Sequence, residues 1–314
     1  MPADFQSYKN CHLCPRNCGV DRVSEERGTC GESAECRISY CGPHFGEEPS
    51  FSGTKGSGTI FFCGCSSHCI FCQNIQISVS GGEGRPISSE LLFDEVRSLA
   101  KTGVHNLNFV SPDHFWPHIR KLCHDLRSEG IEIPFIYNCS GYQEPGLISE
   151  IAEHMDIFMP DFKFAEPGLA RYCMGDSAYP EIALAALREM FKSKGFLRPF
   201  DTDGETVAEK GVLVRHLVLP GQVANSISVL EILHREFGPC LPLSVMSQYR
   251  PIPACQERGN FARELLREEY DAVCERVEEL GFENVYVQEL SPETKFLPDF
   301  NAKSPFPGNQ NSHK

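Results

Sequence analysis

Ten of the sixteen cysteines in this 314-residue chain fall within its first 72 positions, and the other six are scattered singly. The clustered ones are Cys11, Cys14, Cys18, Cys30, Cys36, Cys41, Cys63, Cys65, Cys69 and Cys72. Such density serves either a disulfide framework or metal ligation, and the redox compartment decides between them. Residues 1–20 carry Asp4, Lys9 and Arg16 and no continuous apolar run, so no secretory leader is expected. A cytoplasmic, reducing setting follows from that expectation, and with it a reading of the cysteines as ligands for metal or iron–sulfur. No stretch reaches membrane-spanning length, since even 211–219 is cut by Arg215 and His216. Charge narrows the partners further. Lys and Arg number 29 against 43 Asp and Glu, and the resulting −14 disfavours broad contact with nucleic acid or an anionic membrane.

From residue 58 onward the chain settles into a rhythm. Apolar runs at 59–63, 105–110, 133–139, 156–160, 212–219, 243–247 and 284–287 read as buried strands. Between them lie helical patterns. Ser88 or Ser89 caps a helix through Lys101, and Ile227, Leu230, Leu233 and Phe237 recur at helical spacing before Gly238. A third stripe runs through Phe261, Leu265, Val273, Val277 and Leu280 to Gly281. Alternating strands and helices imply parallel strands joined by crossovers, in a full or partial (β/α) barrel; the unit count alone also allows a doubly wound sheet. Residues 1–57 break the rhythm and read as a small Cys-rich metal-binding module, 58–290 as the (β/α) domain and 291–314 as an irregular tail.

Just after the first of these strands comes Cys65-Ser-Ser-His-Cys69-Ile-Phe-Cys72, a C-x3-C-x2-C spacing. Three thiolates this close can hold three irons of a 4Fe-4S cubane and leave the fourth open, and an open position marks a reactive metal site. The competing reading closes the site with Cys63 as fourth ligand. The C-terminal end of a barrel strand is where (β/α) chemistry sits.

The motif resembles that of the radical S-adenosylmethionine (SAM) superfamily. The segments 11–20, 44–49, 137–142, 160–163, 215–221 and 246–251 are similar to its pyruvate formate-lyase activating enzyme-like branch. The resemblance implies that the open iron chelates SAM, which is cleaved to a 5′-deoxyadenosyl radical for hydrogen abstraction. It places Phe71 near the adenine, sets Asp161, Lys163 and Arg215 around bound SAM, and leaves Ser111 to replace a missing Gly-Gly-Glu motif. Gly81-Gly82-Glu83 has that wording but precedes the first predicted helix, so it reads as a turn. Arg215 lies inside an apolar strand, which is costly without a ligand or carboxylate partner. His216 then faces the other way and is structural. Asn138, Ser140, Gln248 and Tyr249 end strands and are candidates for the pocket lining, whereas Asp113 and His114 read as local hydrogen bonders and Cys139 and Cys173 as small buried hydrophobes.

Cys11, Cys14, Cys18 and Cys30 supply four thiols, enough for a closed second site of zinc or iron–sulfur, with Cys36 and Cys41 as spares. The resemblance implies a flavodoxin or ferredoxin as reductant and a glycyl radical protein as substrate. A different peptide, a small molecule or RNA is the alternative within the class. A non-catalytic iron–sulfur electron-transfer protein is the alternative outside it.

Overall fold

Strands form at the mainly apolar runs, with a few buried polar residues such as Thr59 and Asn108 among them. In a computed structural model of the protein, which describes residues 3–290 and 297–306, the order is β1 (Arg37–His44), α1 (Pro49–Ser52), β2 (Ser57–Phe62), α2 (Ile75–Ser78), β3 (Arg85–Pro86) and α3 (Ser89–Lys101). There follow β4 (Leu107–Val110), α4 (Trp116–Ser128), β5 (Phe135–Cys139), α5 (Ile148–His154), β6 (Ile157–Pro160), α6 (Pro167–Met174) and α7 (Tyr179–Lys194). The chain continues through β7 (Gly211–Val212), β8 (Val214–Leu217), α8 (Val223–Phe237), β9 (Leu243–Met246), α9 (Arg267–Leu280) and β10 (Val285–Val287). Every residue of β2, β4 and β6 is buried, as strands covered on both faces must be.

The strands β2, β4, β5, β6 and β7 run parallel in that spatial order, and β8, β9 and β10 form a second parallel set. The expected strand at 212–219 therefore divides, its start pairing with β6 and its remainder with β9. The two sets are stitched together at the break. Leu213 N donates to Phe158 O at 3.1 Å, Phe162 N donates to Arg215 O at 2.8 Å, and Asp161 bridges Arg215. From β2 to β10, β3 apart, strand order thus follows chain order. A doubly wound sheet would reverse direction part-way, so this is the partial (β/α) barrel. Among the described residues β10 and β2 do not pair, which leaves the barrel open on that side.

β1 and β3 extend the sheet antiparallel beyond β2, with Cys41 opposite Ile60. The sheet thus takes in Arg37–His44, on the N-terminal side of residue 57. Residues 3–36 contain only 3-10 turns, at Ala3–Tyr8 and Arg22–Ser24. In the C-terminal segment, Phe300 and Phe306 fold back onto Phe61, Ile77 and Val110. Pro292 and Pro307 of the expected tail lie outside the described residues.

The capping expectation for α3 holds, with Ser88 Oγ accepting from Leu91 N at 3.2 Å. α9 begins at Arg267, so Phe261 and Leu265 precede it; Phe261 sits in a 3-10 turn over Gly259–Ala262. Six helices, α1, α2 and α4 to α7, had no individual expectation beyond the general strand–helix alternation. The buried stripe of α7 is Ala183, Ala186, Leu187 and Met190, too small-sided to stand out against its charged neighbours.

Gly141 follows β5 with φ of 78°, and a Cβ there would lie 2.0 Å from the Asp161 carbonyl oxygen. Gly175 has nearly the same φ, 77°, with no atom within 4 Å. Gly175→Ala should cost about 1 kcal/mol from left-handed strain alone. Gly141→Ala should cost at least about 2 kcal/mol more, because backbone must move aside. Urea unfolding of both variants checks this, and equal losses would refute the close approach.

Candidate active site

The C-terminal ends of the wall strands surround one cavity of about 880 Å³, within the usual range for small-molecule sites. Its lining includes Cys65, Cys69, Phe71, Cys72, Ser111, Asn138, Asp161, Lys163 and Arg215. The structure thus brings together all nine residues expected around the reactive centre. Ser140 and Gln248 join them, and so does Cys139. Tyr249 does not: it is fully buried in the core and donates to Phe261 O at 2.6 Å.

The loop after β2 is held from several directions. Cys65 N donates to Cys30 O at 3.2 Å, the His68 ring meets Thr29 O at 2.5 Å, and Ser67 Oγ bonds Ser140 Oγ at 2.7 Å. Arg16 reaches in from the N-terminal segment, donating to Ser66 O at 2.8 Å and to Met174 O at 2.6 Å. Burial, together with the neighbouring Cys72, pushes the Cys65 thiol up to about 11. Burial raises Cys69 and Cys72 too, while nearby Lys163 opposes the rise at both. Cys69 is buried and Cys65 and Cys72 are half-buried, and thiols raised in this way become thiolates when a bound metal or another cation favours the charge. Cys63 is placed elsewhere. Its thiol turns to Glu83 O at 3.4 Å, beneath Gly84 and outside the cavity lining.

Lys163 and Asp161 form a hydrogen-bonded ion pair at the mouth of β6. Burial works against the Lys163 charge, but Asp161 and Cys69 more than restore it, so the ammonium is held well above its ordinary pKa. Ser111 adopts φ of 54° and donates its N–H to Asn138 O at 2.9 Å, locking the ends of β4 and β5 side by side. Phe71 stacks with Phe261, ring centroids 6.1 Å apart and planes at 4°.

The sequence demanded a partner for Arg215, and the structure supplies two carboxylates that the reading had not singled out. Arg215 Nε donates to Glu48 Oε1 at 2.8 Å, and its Nη2 bonds both Glu47 and Glu48. All three side chains are at most 12% exposed. His216 faces outward as expected, between Phe162 O at 2.8 Å and Ser226 Oγ at 2.9 Å. Asp113 accepts from Tyr137 and Gln143, and His114 meets Cys63 O at 2.6 Å. Gly81–Glu83 forms a turn outside the cavity.

In the N-terminal segment Cys11, Cys14 and Cys30 are buried and Cys18 is half-buried. A Cβ on Gly28 would lie 3.1 Å from the Cys18 sulfur and 3.6 Å from that of Cys30. Buried Arg22 donates to Ser33 O and His114 O, each at 2.6 Å, and stands 3.8 Å from the Cys11 sulfur. Among the described residues no group of three or more His, Cys, Asp or Glu side chains is drawn together to hold a single metal ion. No described helix is long and apolar enough to cross a membrane.

These features define a (β/α) partial barrel with a thiol-lined cavity at the C-terminal ends of its strands. No family model matches the chain. It is 27% identical over 286 residues to the uncharacterized protein MJ0674 of Methanocaldococcus jannaschii, covering 89% of this chain and 77% of that one. Among solved structures it is similar to Streptococcus suis SuiB bound to S-adenosylmethionine, with a TM-score of 0.48 and 11% identity over 78% of this chain. It spans about half of SuiB, 51% of that chain. Methylornithine synthase PylB matches with a TM-score of 0.45 and 13% identity, over 73% of this chain and 69% of that one. HydG, a maturase of the [FeFe]-hydrogenase, matches with a TM-score of 0.44 and 14% identity, over 73% and 58% respectively.

Removing Arg215 would leave two carboxylates buried together. Arg215→Met should destabilise the chain by about 3–5 kcal/mol in urea unfolding, and adding Glu47→Gln and Glu48→Gln should restore most of that loss. A cost below about 1 kcal/mol would mean that the pair is solvated.

Proposed function

We propose that the chain is a radical SAM enzyme whose Cys65, Cys69 and Cys72 hold a 4Fe-4S cluster. The observation that carries this reading is the common cavity: three thiols from one loop share it with Phe71, Ser111, Asn138, Asp161, Lys163 and Arg215, while Cys63 is turned away. When bound and reduced, the cluster with SAM supplies a 5′-deoxyadenosyl radical that removes a hydrogen atom from substrate. The protein's share is placement and exclusion. Lys163 offers an ammonium to the SAM carboxylate, and Asp161 accepts from its amino or ribose groups. Ser111 and Asn138 form the polar shelf beside them, and Phe71 gives the adenine an aromatic wall. Arg16 and the Cys30 carbonyl fix the loop so that its thiols stay oriented.

Within that class we propose a pyruvate formate-lyase activating enzyme-like oxidoreductase of the cytoplasm. It would draw electrons from a flavodoxin or ferredoxin and abstract the Cα hydrogen of a glycine in a partner protein. A second metal site, zinc or iron–sulfur on Cys11, Cys14, Cys18 and Cys30, would brace the N-terminal module of residues 1–57 against the 58–290 domain. Its support is Arg22, a buried cation that donates to the Ser33 and His114 carbonyls, stands 3.8 Å from the Cys11 sulfur and lies over the Tyr8 ring. A non-catalytic electron carrier would need Cys63 as fourth ligand, and its thiol faces Glu83 instead.

Anaerobic reconstitution with iron and sulfide, followed by dithionite and SAM, should yield 5′-deoxyadenosine. Alanine at Cys65, Cys69 or Cys72 should abolish the product, and Cys63→Ala should leave cluster loading and cleavage intact. A fully loaded chain that makes no 5′-deoxyadenosine, or a Cys63→Ala chain that cannot load, would overturn the reading. Mixing with a candidate glycyl radical protein should give a protein-borne radical by electron paramagnetic resonance.

A further inference from the structure

Lys163 and Asp161 line the cavity, yet the backbone that carries them has already left the sheet. β6 ends at Pro160, and beyond it Phe162 N still reaches Arg215 O at 2.8 Å. From Lys163 onward the strand gives way to a loop, and a loop inside a packed wall must find other partners for its backbone groups. Two buried side chains from the outer helices supply them. Tyr179, the first residue of α7, is fully buried, and its hydroxyl accepts from Lys163 N at 2.9 Å. Its own proton turns to the carbonyl of Ser140 or Asp161, at 3.0 and 3.2 Å. Asn225, buried in the first turn of α8, donates Nδ2 to Lys163 O at 3.1 Å and accepts from Ala165 N at 2.9 Å. The N–H and the C=O of Lys163 are thus each held by a side chain, and neither side chain lines the cavity.

A lysine ammonium rides on a flexible four-carbon stem, so its place depends on where Cα is fixed and on the carboxylate beside it. For Lys163 that carboxylate is Asp161. Tyr179 bears on both, since its hydroxyl bonds the backbone of Lys163 and faces that of Asp161. It is joined to the cysteine loop as well. Ser140, whose carbonyl it meets, takes the Ser67 hydroxyl on its own Oγ at 2.7 Å. The approach depends on Gly141, because a Cβ there would lie 2.9 Å from the Tyr179 oxygen and 2.0 Å from Asp161 O. A packing role would need only the ring. The three polar contacts need the oxygen, and a phenylalanine at this position would fill the same space while leaving the Lys163 N–H without its acceptor.

We propose that Tyr179 and Asn225 are positioning residues: they fix Lys163 through its main chain and so set where its ammonium stands in the cavity. This deepens the radical reading, on which it rests for the group that the ammonium meets, the SAM carboxylate.

The first readout uses the cluster-free chain. Trace acetylation with acetic anhydride, mapped by mass spectrometry, should label Lys163 at least about threefold faster in Tyr179→Phe than in the parent, with Lys121 on α4 unchanged. The second uses the reconstituted enzyme. Tyr179→Phe should load as much iron as the parent and raise the KM for SAM about fivefold or more, with kcat nearly kept. In a Lys163→Met background the same change should add little, because a residue that acts through Lys163 then has nothing left to place. A merely structural hydroxyl would weaken both backgrounds alike. Melting curves check folding. If Tyr179→Phe does not fold, Asn225→Asp decides by the same comparisons, since it keeps the acceptor for Ala165 N and loses the donor to Lys163 O. The proposal falls if a folded variant leaves Lys163 labelling unchanged, leaves the KM unchanged, or costs the same factor in both backgrounds. A loaded parent that makes no 5′-deoxyadenosine sinks the radical reading instead, and the labelling then decides the positioning alone.

Discussion

A guanidinium placed inside a strand wall cannot be left without an anion, and in this chain the anions come from far away in sequence. Arg215 is drawn to Glu47 and Glu48 across 167 or 168 positions. That ion pair pins the segment leading into α1 beneath the cavity, where Phe51 packs with Ile136, Ile157, Met159 and Leu213 as a plug. Ser50 Oγ then meets Tyr286 on β10 at 2.5 Å, so the segment just ahead of β2 is tied to β10 through the same plug, although among the described residues β2 and β10 do not pair. The open barrel keeps its shape by this internal tie rather than by closing its hydrogen-bond ladder.

Much of the architecture was legible because parallel strands leave a plain record. Ile157–Pro160 is apolar throughout, and only a strand covered on both faces tolerates that. The Cys65–Cys72 spacing was equally plain, since three thiols on one loop need no tertiary structure to be recognised. Arg215 was half legible. An apolar strand interrupted by a cation announces a missing anion, but nothing local says which of 43 acidic residues supplies it. Adjacent acids ahead of a proline, as in Glu47-Glu48-Pro49, are common on surfaces. Only the fold turns this pair inward.

The elements that escaped the sequence did so for physical reasons. The 212–219 run looks like one strand because its residues are uniformly apolar around Arg215 and His216. The split falls at Leu213, where pairing passes from β6 to β9. α7 hides its buried stripe in alanines, and Tyr249 was grouped with pocket residues because it ends a strand. Its hydroxyl instead finds the Phe261 carbonyl in the core. Strand ends face both the cavity and the outer helices, and position alone does not choose between them.

The grip of Arg16 has a consequence for how the molecule assembles. This side chain joins the start of the chain to the Cys65–Cys69 loop and to the Met174 carbonyl, 158 positions later. During synthesis the Ser66 end of this grip can close as soon as the loop is made, whereas the Met174 end must wait for α6 to be made and docked. The loop is therefore held in two stages, first to the N-terminal segment and only later to the far side of the fold.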